Sequence, residues 1–297
     1  MWNIFGRPIL ATHSGSFHPD DVLSVAALKK IDPKLKIVRT RDKGIIKEAE
    51  YVVDVGGEYD PKRKRFDHHQ VGGAGERDDR VPYASFGLVW REYGAHYCGS
   101  KTVADYIEKN LVEYIDAMDN GEGEIKPISG DIYPYTFGNF IMDMNPVGNV
   151  GAFHYNRAFE KAVAVASLAL DNFVLGAKYF LEAESKILDS YQKSDDKRIV
   201  IFDEKYPWQD VLKKIKEPIY VVEPGSMRGE WKVTCVRDNP RDFTNRKDLP
   251  KEWAGKRDTE LVQITGVKDA VFCHNKLFTA YAKSKEGAIK LAELAFK

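Results

Sequence analysis

His13 and His18 stand with Asp20 and Asp21 in THSGSFHPDD (residues 12–21), and His68 and His69 follow Asp67 in FDHHQ (66–70). Imidazoles and carboxylates grouped this way are candidate ligands for a divalent cation. The bland alternative is a turn followed by a helix N-cap, which also uses Ser and Asp. Asp54, inside the apolar run YVVDVGG (51–57), favours the cation. A carboxylate within a buried strand is costly unless something positive meets it. A strand that feeds a Gly-Gly turn also places it where open α/β sheets hold ligands. LVEYIDAMDNG (111–121) poses the same problem, with Asp116 and Asp119 sharing a helix face with Val112 and Ile115. Either acid is a candidate ligand. Otherwise Asp119 closes the helix with Asn120-Gly121, and Asp116 is a partly exposed acid.

His13, His18, Asp20, Asp54, His68 and Asp119 form a set without thiolates. Such a set suits manganese, magnesium, iron or zinc in open octahedral or five-coordinate sites, not a closed structural zinc. Six ligands are too many for one catalytic ion with open positions and about right for two. Two divalent ions roughly 3.5–4 Å apart clamp an in-line displacement at phosphorus.

The elements that must position these residues read as α/β. Pro8–Ala11, KIVRT (36–40) and YVVDVGG are short β-rich runs, and the stretch after Asp20-Asp21 has helical spacing. Strand–helix–strand order implies a mainly parallel sheet flanked by helices. Lys101–Asp119 reads as helix stopped by Asn120-Gly121. One long connecting helix runs from about Arg157 to Lys193, with Asn156 as candidate N-cap. After KSDDK (193–197), RIVIF, IYVVE, WKVTCV and VFCH…LFTAYA read as strands, and KEGAIKLAELAF as a closing helix. These features predict a domain over 1–195 that includes the long helix, and a smaller α+β domain over 196–297.

Lys+Arg and Asp+Glu are 45 each, so no global field draws the protein to nucleic acid or an anionic membrane, and a polyanion site must be local. Cys98, Cys235 and Cys273 are scattered, which argues against a disulfide framework. No leader or membrane-spanning run is visible. The expectation is a cytoplasmic protein with no membrane partner; nothing in the sequence specifies a homodimer.

THSGSFHPDD, VRTRD (38–42), VVDVGGEYDP (52–61), FDHHQ and IDAMDNG (115–121), in this order and spacing, resemble the DHH phosphoesterases. More closely, they resemble the melanocyte-proliferating-gene family, also called metal-dependent protein hydrolases. WKVTCV and KEGA extend the likeness into the second half, so it covers nearly the whole chain. The resemblance implies that His13 and His18 hold one ion, that Asp54 bridges, and that Asp20, His68 and Asp119 complete the second. It favours Asp119 over Asp116, since Asp-Asn-Gly is similar to the superfamily's Asp-Thr-Gly. It makes His69 the group that contacts substrate phosphate, and Asp67 the partner that orients an imidazole. The implied cofactors are two divalent ions, manganese foremost, with magnesium the alternative. The implied activity is 3′-to-5′ exonucleolytic hydrolysis of single-stranded RNA or short oligonucleotides. A small-molecule phosphatase or pyrophosphatase, and a non-catalytic metal- or nucleic-acid-binding protein, are the rival readings.

Two departures stand out. Pro19-Asp20-Asp21 replaces the usual Cys-Asp-Glu, and FTAYAKSKEGA (278–288) lacks the Gly-Gly-His element with which many relatives grip substrate. Arg39 and Arg41 bracket a strand end and could meet a phosphate by bidentate hydrogen bonding; a solvated charged loop is the alternative. Arg237, Arg241, Arg246 and Arg257, accompanied by Trp231 and Trp253, point to nucleic acid only as a group. His274, at a strand end, reads as structural.

Overall fold

The computed structural model describes residues 6–122, 125–227, 229–239, 242 and 244–296. The chain divides into two compact units, Met1–Lys178 and Tyr179–Lys297.

The first unit begins with β1 (Ile9–Thr12), α1 (Pro19–Ile31), β2 (Lys36–Arg39), α2 (Lys43–Glu48), β3 (Tyr51–Val53), β4 (Tyr59–Asp60) and β5 (Arg65–Phe66). The sheet order is β2-β1-β3-β5-β4. β2, β1, β3 and β5 run parallel, and β4 pairs antiparallel with β5. Leu10, Ala11, Val52 and Val53 are buried, as central parallel strands covered on both faces require. β1 lies between β2 and β3, so the chain steps one way from β1 to β2 and then crosses back over β1 to β3. In open α/β sheets such a switch point opens a crevice at the strands' carboxyl ends.

α1 is buried through Val22, Leu23, Val25, Ala26 and Leu28. It packs on α3 (Ser85–Cys98). Gly87 and Gly94 break the apolar periodicity of α3, and for that reason no pattern in the sequence announces it. α4 (Lys101–Ile107) passes through a π-helical turn, Glu108–Val112, into α5 (Glu113–Asp119). After α6 (Phe137–Met142) comes α7 (Ala152–Lys193), 42 residues long. α7 starts directly after Gly151, so Asn156 lies inside the helix and is not its cap. Its end at Lys193 matches the composition change near residue 195. The packing division falls earlier, because Ala183 and Ile187 belong to a core of the second unit.

The second unit adds β6 (Ile199–Ile201), α8 (Gln209–Leu212), β7 (Tyr220–Pro224), β8 (Trp231–Cys235), α9 (Asp258–Thr265), β9 (Ala270–Cys273), β10 (Thr279–Ala282) and α10 (Lys285–Leu294). The sheet order is β6-β7-β8-β10-β9, with only β6 and β7 parallel. Alternation along the strands sends Val222, Val233, Cys235, Ala280 and Ala282 to one face, against Leu261 of α9 and Leu291 of α10. Val200 and Val221 point the other way, into a core with Trp208, Val211 and Leu212. The whole is the α/β architecture the sequence predicts, a mainly parallel sheet followed by a smaller α+β unit.

Candidate metal centre

Four groups of candidate site residues sit at the carboxyl ends of parallel strands. His13 follows β1, Arg39 ends β2 and Arg41 follows it, Asp54 follows β3, and Asp67, His68 and His69 follow β5. α1 delivers Asp20 and Asp21 from its first turn, and α5 delivers Asp119 from its last. His13, Asp20, Asp21, Asp54, Asp67 and His68 are all buried.

Asp54 is the hub. Its Oδ2 lies 3.3 Å from His13 Nε2, and its Oδ1 lies 3.4 Å from both His68 Nε2 and His69 Nδ1. Ser85 donates to Oδ1 at 3.2 Å. The residue adopts φ 54°, a left-handed conformation that Asp tolerates better than most residues and that recurs at functional sites. His68 Nε2 also faces Asp119 Oδ2 at 3.2 Å and Asp20 Oδ2 at 4.0 Å.

His13, His18 and Asp54 bring ligand atoms within 4.8 Å of one another, as do Asp54, His68 and His69, and His18, Asp20 and Asp119. These overlapping groups contain all six ligands anticipated from sequence, plus His69. Asp116 lies elsewhere. Its Oδ2 accepts from Arg77 Nη2 at 2.7 Å and its Oδ1 from the Gly87 N–H at 2.9 Å. A Cβ on Gly87 would come within 1.8 Å of Asp116 Oδ2. Asp116 is therefore built into the packing of α3 on α5.

The electrostatics ask for positive charge. Burial alone would lower the pKa of His13, but Asp21 and Asp54 raise it to about 10. His68, likewise opposed by burial, is raised to about 10 by Asp119 and Asp54. Burial would also raise Asp54, yet contact with His13 and His68 holds it well below the usual carboxylate range. Asp20 is pushed well above that range by burial, then by the charges of Asp54, Asp119 and Asp21. Both oxygens of Asp20 are buried without a hydrogen-bond partner, while Asp21 Oδ2, His13 Nε2 and His68 Nε2 are buried with imidazole–carboxylate ion pairs as their polar contacts. Carboxylates so placed without donors cost several kcal/mol each by rough estimate. Imidazolium protons or divalent cations answer that demand, so the residues fit the metals the sequence implies.

Sequence reasoning passed over three contributors. Asp21 reads as a helix cap, and its Oδ1 does accept the His18 N–H at 2.9 Å. Its Oδ2, however, lies 3.1 Å from His13 Nε2. Asn120 Oδ1 is 3.2 Å from His68 Nδ1, an arrangement that leaves Nε2 to face Asp54 and Asp119. Ser85 carries no motif. Only the Asp-Asp pair at the start of α1 was a usable signal.

Asp67 accepts from the Gly57 N–H at 2.5 Å, the His69 N–H at 3.1 Å and His69 Nδ1 at 2.8 Å. The His69 side chain is 62% exposed. A cavity of about 240 Å³ is lined by His13, His18, Arg41, Asp54, Gly56, Asp67 and His69 among others.

The two arginines at the carboxyl end of β2 part company. Arg41 Nη2 reaches to 3.5 Å from His13 Nδ1. Arg39 donates to the Gly15 carbonyl at 2.7 Å, and its guanidinium lies over Phe159 at 4.5 Å and Phe17 at 5.6 Å. Burial lowers its pKa, with Asp21 opposing. Its Nε and Nη1 are buried without a hydrogen-bond partner, and through Nη2 Arg39 braces the loop between His13 and His18.

In the second unit Arg246 is held by the carbonyls of Ile215 and Pro218 and by Asp238, and Trp253 is buried in the core. Neither is free to contact nucleic acid, which corrects the expectation for that pair. Arg241 lies outside the described residues. His274 Nδ1 accepts from the Lys276 N–H at 3.1 Å.

Fold and site together define an α/β protein with His/Asp clusters able to hold divalent cations at the carboxyl edge of a parallel sheet. The family model described as "Uncharacterised protein family (UPF0160)", the MYG1 exonuclease model, matches residues 9–296. The chain belongs to this MYG1 family. It is 33% identical to the "MYG1 protein" of Dictyostelium discoideum, over 95% of this chain and 94% of that one. It is 28% identical to the "MYG1 exonuclease" of Homo sapiens, over 97% of this chain and 86% of the relative. The Mus musculus "MYG1 exonuclease" is also 28% identical, over 98% and 85%. Among the described residues, no helix is long and apolar enough to cross a membrane.

Proposed function

We propose that this chain is a metal-dependent phosphodiesterase that removes nucleotides from the 3′ end of single-stranded RNA or short oligonucleotides in the cytoplasm. The observation that carries the reading is Asp54 set between the Nε2 atoms of His13 and His68, with the unpartnered carboxylate of Asp20 beside them. The names of the human and mouse relatives supply the class of substrate.

His13, His18 and Asp54 would hold one divalent ion, and Asp54, Asp20, His68 and Asp119 the other, manganese being favoured and magnesium the alternative. When bound, such a pair polarises a phosphoryl oxygen and acidifies a water for in-line attack. The chain's own part is positional and protonic. Asn120 holds His68 by Nδ1 and Asp67 holds His69 by Nδ1; each contact fixes a tautomer and aims Nε2. Asp67 is itself pinned by the Gly57 and His69 backbone N–H groups. With Nδ1–H committed to Asp67, the exposed His69 ring would meet a phosphate oxygen through Nε2–H only as an imidazolium, and in that form it would hand the Nε2 proton to the leaving oxygen. Arg41, lining the same cavity, supplies positive charge for the substrate phosphate.

The cavity of about 240 Å³ gives weight to a second reading, a phosphatase for small phosphoesters. A ladder of oligonucleotide lengths with manganese separates the two. Stepwise shortening of long strands supports the exonuclease. Hydrolysis confined to mononucleotides, dinucleotides or pyrophosphate supports the phosphatase. No hydrolysis of any phosphoester leaves only a binding protein.

A further inference from the structure

Among the six ligands anticipated from sequence, His18 is the exposed one. His13 is set by the strand it follows, but His18 lies beyond Ser14-Gly15-Ser16, where Gly15 takes φ 96° and both Gly15 and Ser16 are exposed. Small residues with nothing to pack against lose much conformational freedom when they are ordered. A ligand at the far end of such a loop is in place only if something outside the loop holds it there.

Asn145, 128 residues beyond Phe17, supplies that hold. Its Oδ1 accepts the Phe17 N–H at 3.0 Å, and its Nδ2 donates to the Phe17 carbonyl at 2.9 Å. With the N–H and C=O of one residue as partners, a single orientation of the amide satisfies both. The same Nδ2 donates to the Met142 carbonyl at 3.0 Å, which ties the side chain to the end of α6. α6 itself lies beside the start of α1, since a Cβ on Gly138 would stand 3.5 Å from Pro19 Cγ. The Phe17 ring is fully buried and meets Phe159 edge-on, with centroids 5.6 Å apart. The peptide group that joins Phe17 to His18 is thereby held at both ends, its carbonyl by Asn145 and its N–H by Asp21 Oδ1 at 2.9 Å. Arg39 grips the loop further back, at the Gly15 carbonyl and over the Phe17 ring. The backbone leading into His18 is left to Asn145, and what then places the imidazole is rotation about its own side-chain bonds.

We propose that Asn145 is a positioning residue of the metal centre: by clamping both polar groups of the Phe17 backbone it sets His18 and so the affinity for the ion that His13, His18 and Asp54 would hold. The inference rests on the reading of His18 as a metal ligand, and it adds to the centre a residue that touches neither metal nor substrate.

Calorimetric titration of manganese into the metal-free full chain tests this without cleavage. Asn145→Ala should weaken metal binding about tenfold, the lower end of what losing a ligand's support costs. Asn145→Asp keeps an oxygen for the Phe17 N–H but turns a second oxygen toward the Phe17 carbonyl. It should also bind manganese more weakly, against the direction in which an added negative charge acts. In a His18→Ala background, Asn145→Ala should change affinity by no more than about twofold, because the side chain it aims is gone. Thermal melting of each metal-free variant guards against misfolding. Wild-type affinity in both Asn145 variants, or a loss that persists in full in the His18→Ala background, would overturn the clamp and leave the hydrolytic reading standing. A loss that disappears in the His18→Ala background, in a chain that hydrolyses no phosphoester, would support the clamp and overturn the hydrolytic reading. A wild-type chain that binds no manganese would overturn both.

Discussion

Asp21 Oδ2 lies 3.1 Å from His13 Nε2, while Oδ1 of the same side chain accepts the His18 N–H at 2.9 Å. One carboxylate thus caps α1 and faces the imidazole that follows β1. The two roles separate by substitution. Asp21→Asn keeps an oxygen for the cap and removes the charge. Its manganese affinity should fall about 10–100-fold with little loss of stability. Asp21→Ala should lose the affinity and, in addition, about 1 kcal/mol of stability from the cap. Calorimetric metal titration and urea unfolding read the two effects apart, and equal affinity in Asp21→Asn and the wild type would remove Asp21 from the centre.

Asp116 and Asp119, three residues apart, should behave oppositely. Asp119→Asn should weaken metal binding with little change in unfolding, because the side chain sits at the rim facing His68. Asp116→Ala leaves the guanidinium of Arg77, itself 8% exposed, with only Glu108 as a carboxylate partner. Breaking a buried pair in this way costs about 3–5 kcal/mol, seen as a lower urea midpoint. A stable Asp116→Ala chain that has lost its metal affinity would reverse the assignment.

Metal affinity should rise with pH. His13 and His68 are raised to about 10 by their carboxylate neighbours. At neutral pH an incoming cation must therefore displace imidazolium protons. Each displaced proton steepens the dependence by up to about tenfold per pH unit below that pKa. Titrations at pH 7, 8 and 9 in buffers of different ionisation enthalpy should show tighter binding and fewer protons released as pH rises. Affinity that is flat or falling over this range would contradict the electrostatics of the cluster.

Much of the candidate centre was legible because its chemistry is written in unusual residue types at telling places. An Asp in the apolar run before Gly56-Gly57, and a His-His pair after Asp67, stand out against any ordinary strand or turn. The β-rich runs located β1, β2 and β3, since buried parallel strands are continuous apolar segments. α3 went unread because two glycines interrupt its periodicity, although it supplies Ser85 to Asp54. Arg39 is ambiguous for a different reason. An arginine at a strand end looks the same in sequence whether it forks a phosphate or stacks on Phe159; only the distant arrival of α7 decides. Arg246 and Trp253 likewise look like a nucleic-acid surface until the fold buries them.

The most direct test follows the rate of oligonucleotide shortening as manganese is titrated into the metal-free chain. Shortening should be absent in chelator, should grow as more than one ion per chain binds, and should saturate at two. It should be absent at every metal concentration in Asp54→Asn, whose amide still tolerates the left-handed backbone at φ 54°. Full activity in chelator, saturation at a single ion, or an Asp54→Asn chain as active as the wild type would contradict a dinuclear hydrolytic centre built on Asp54.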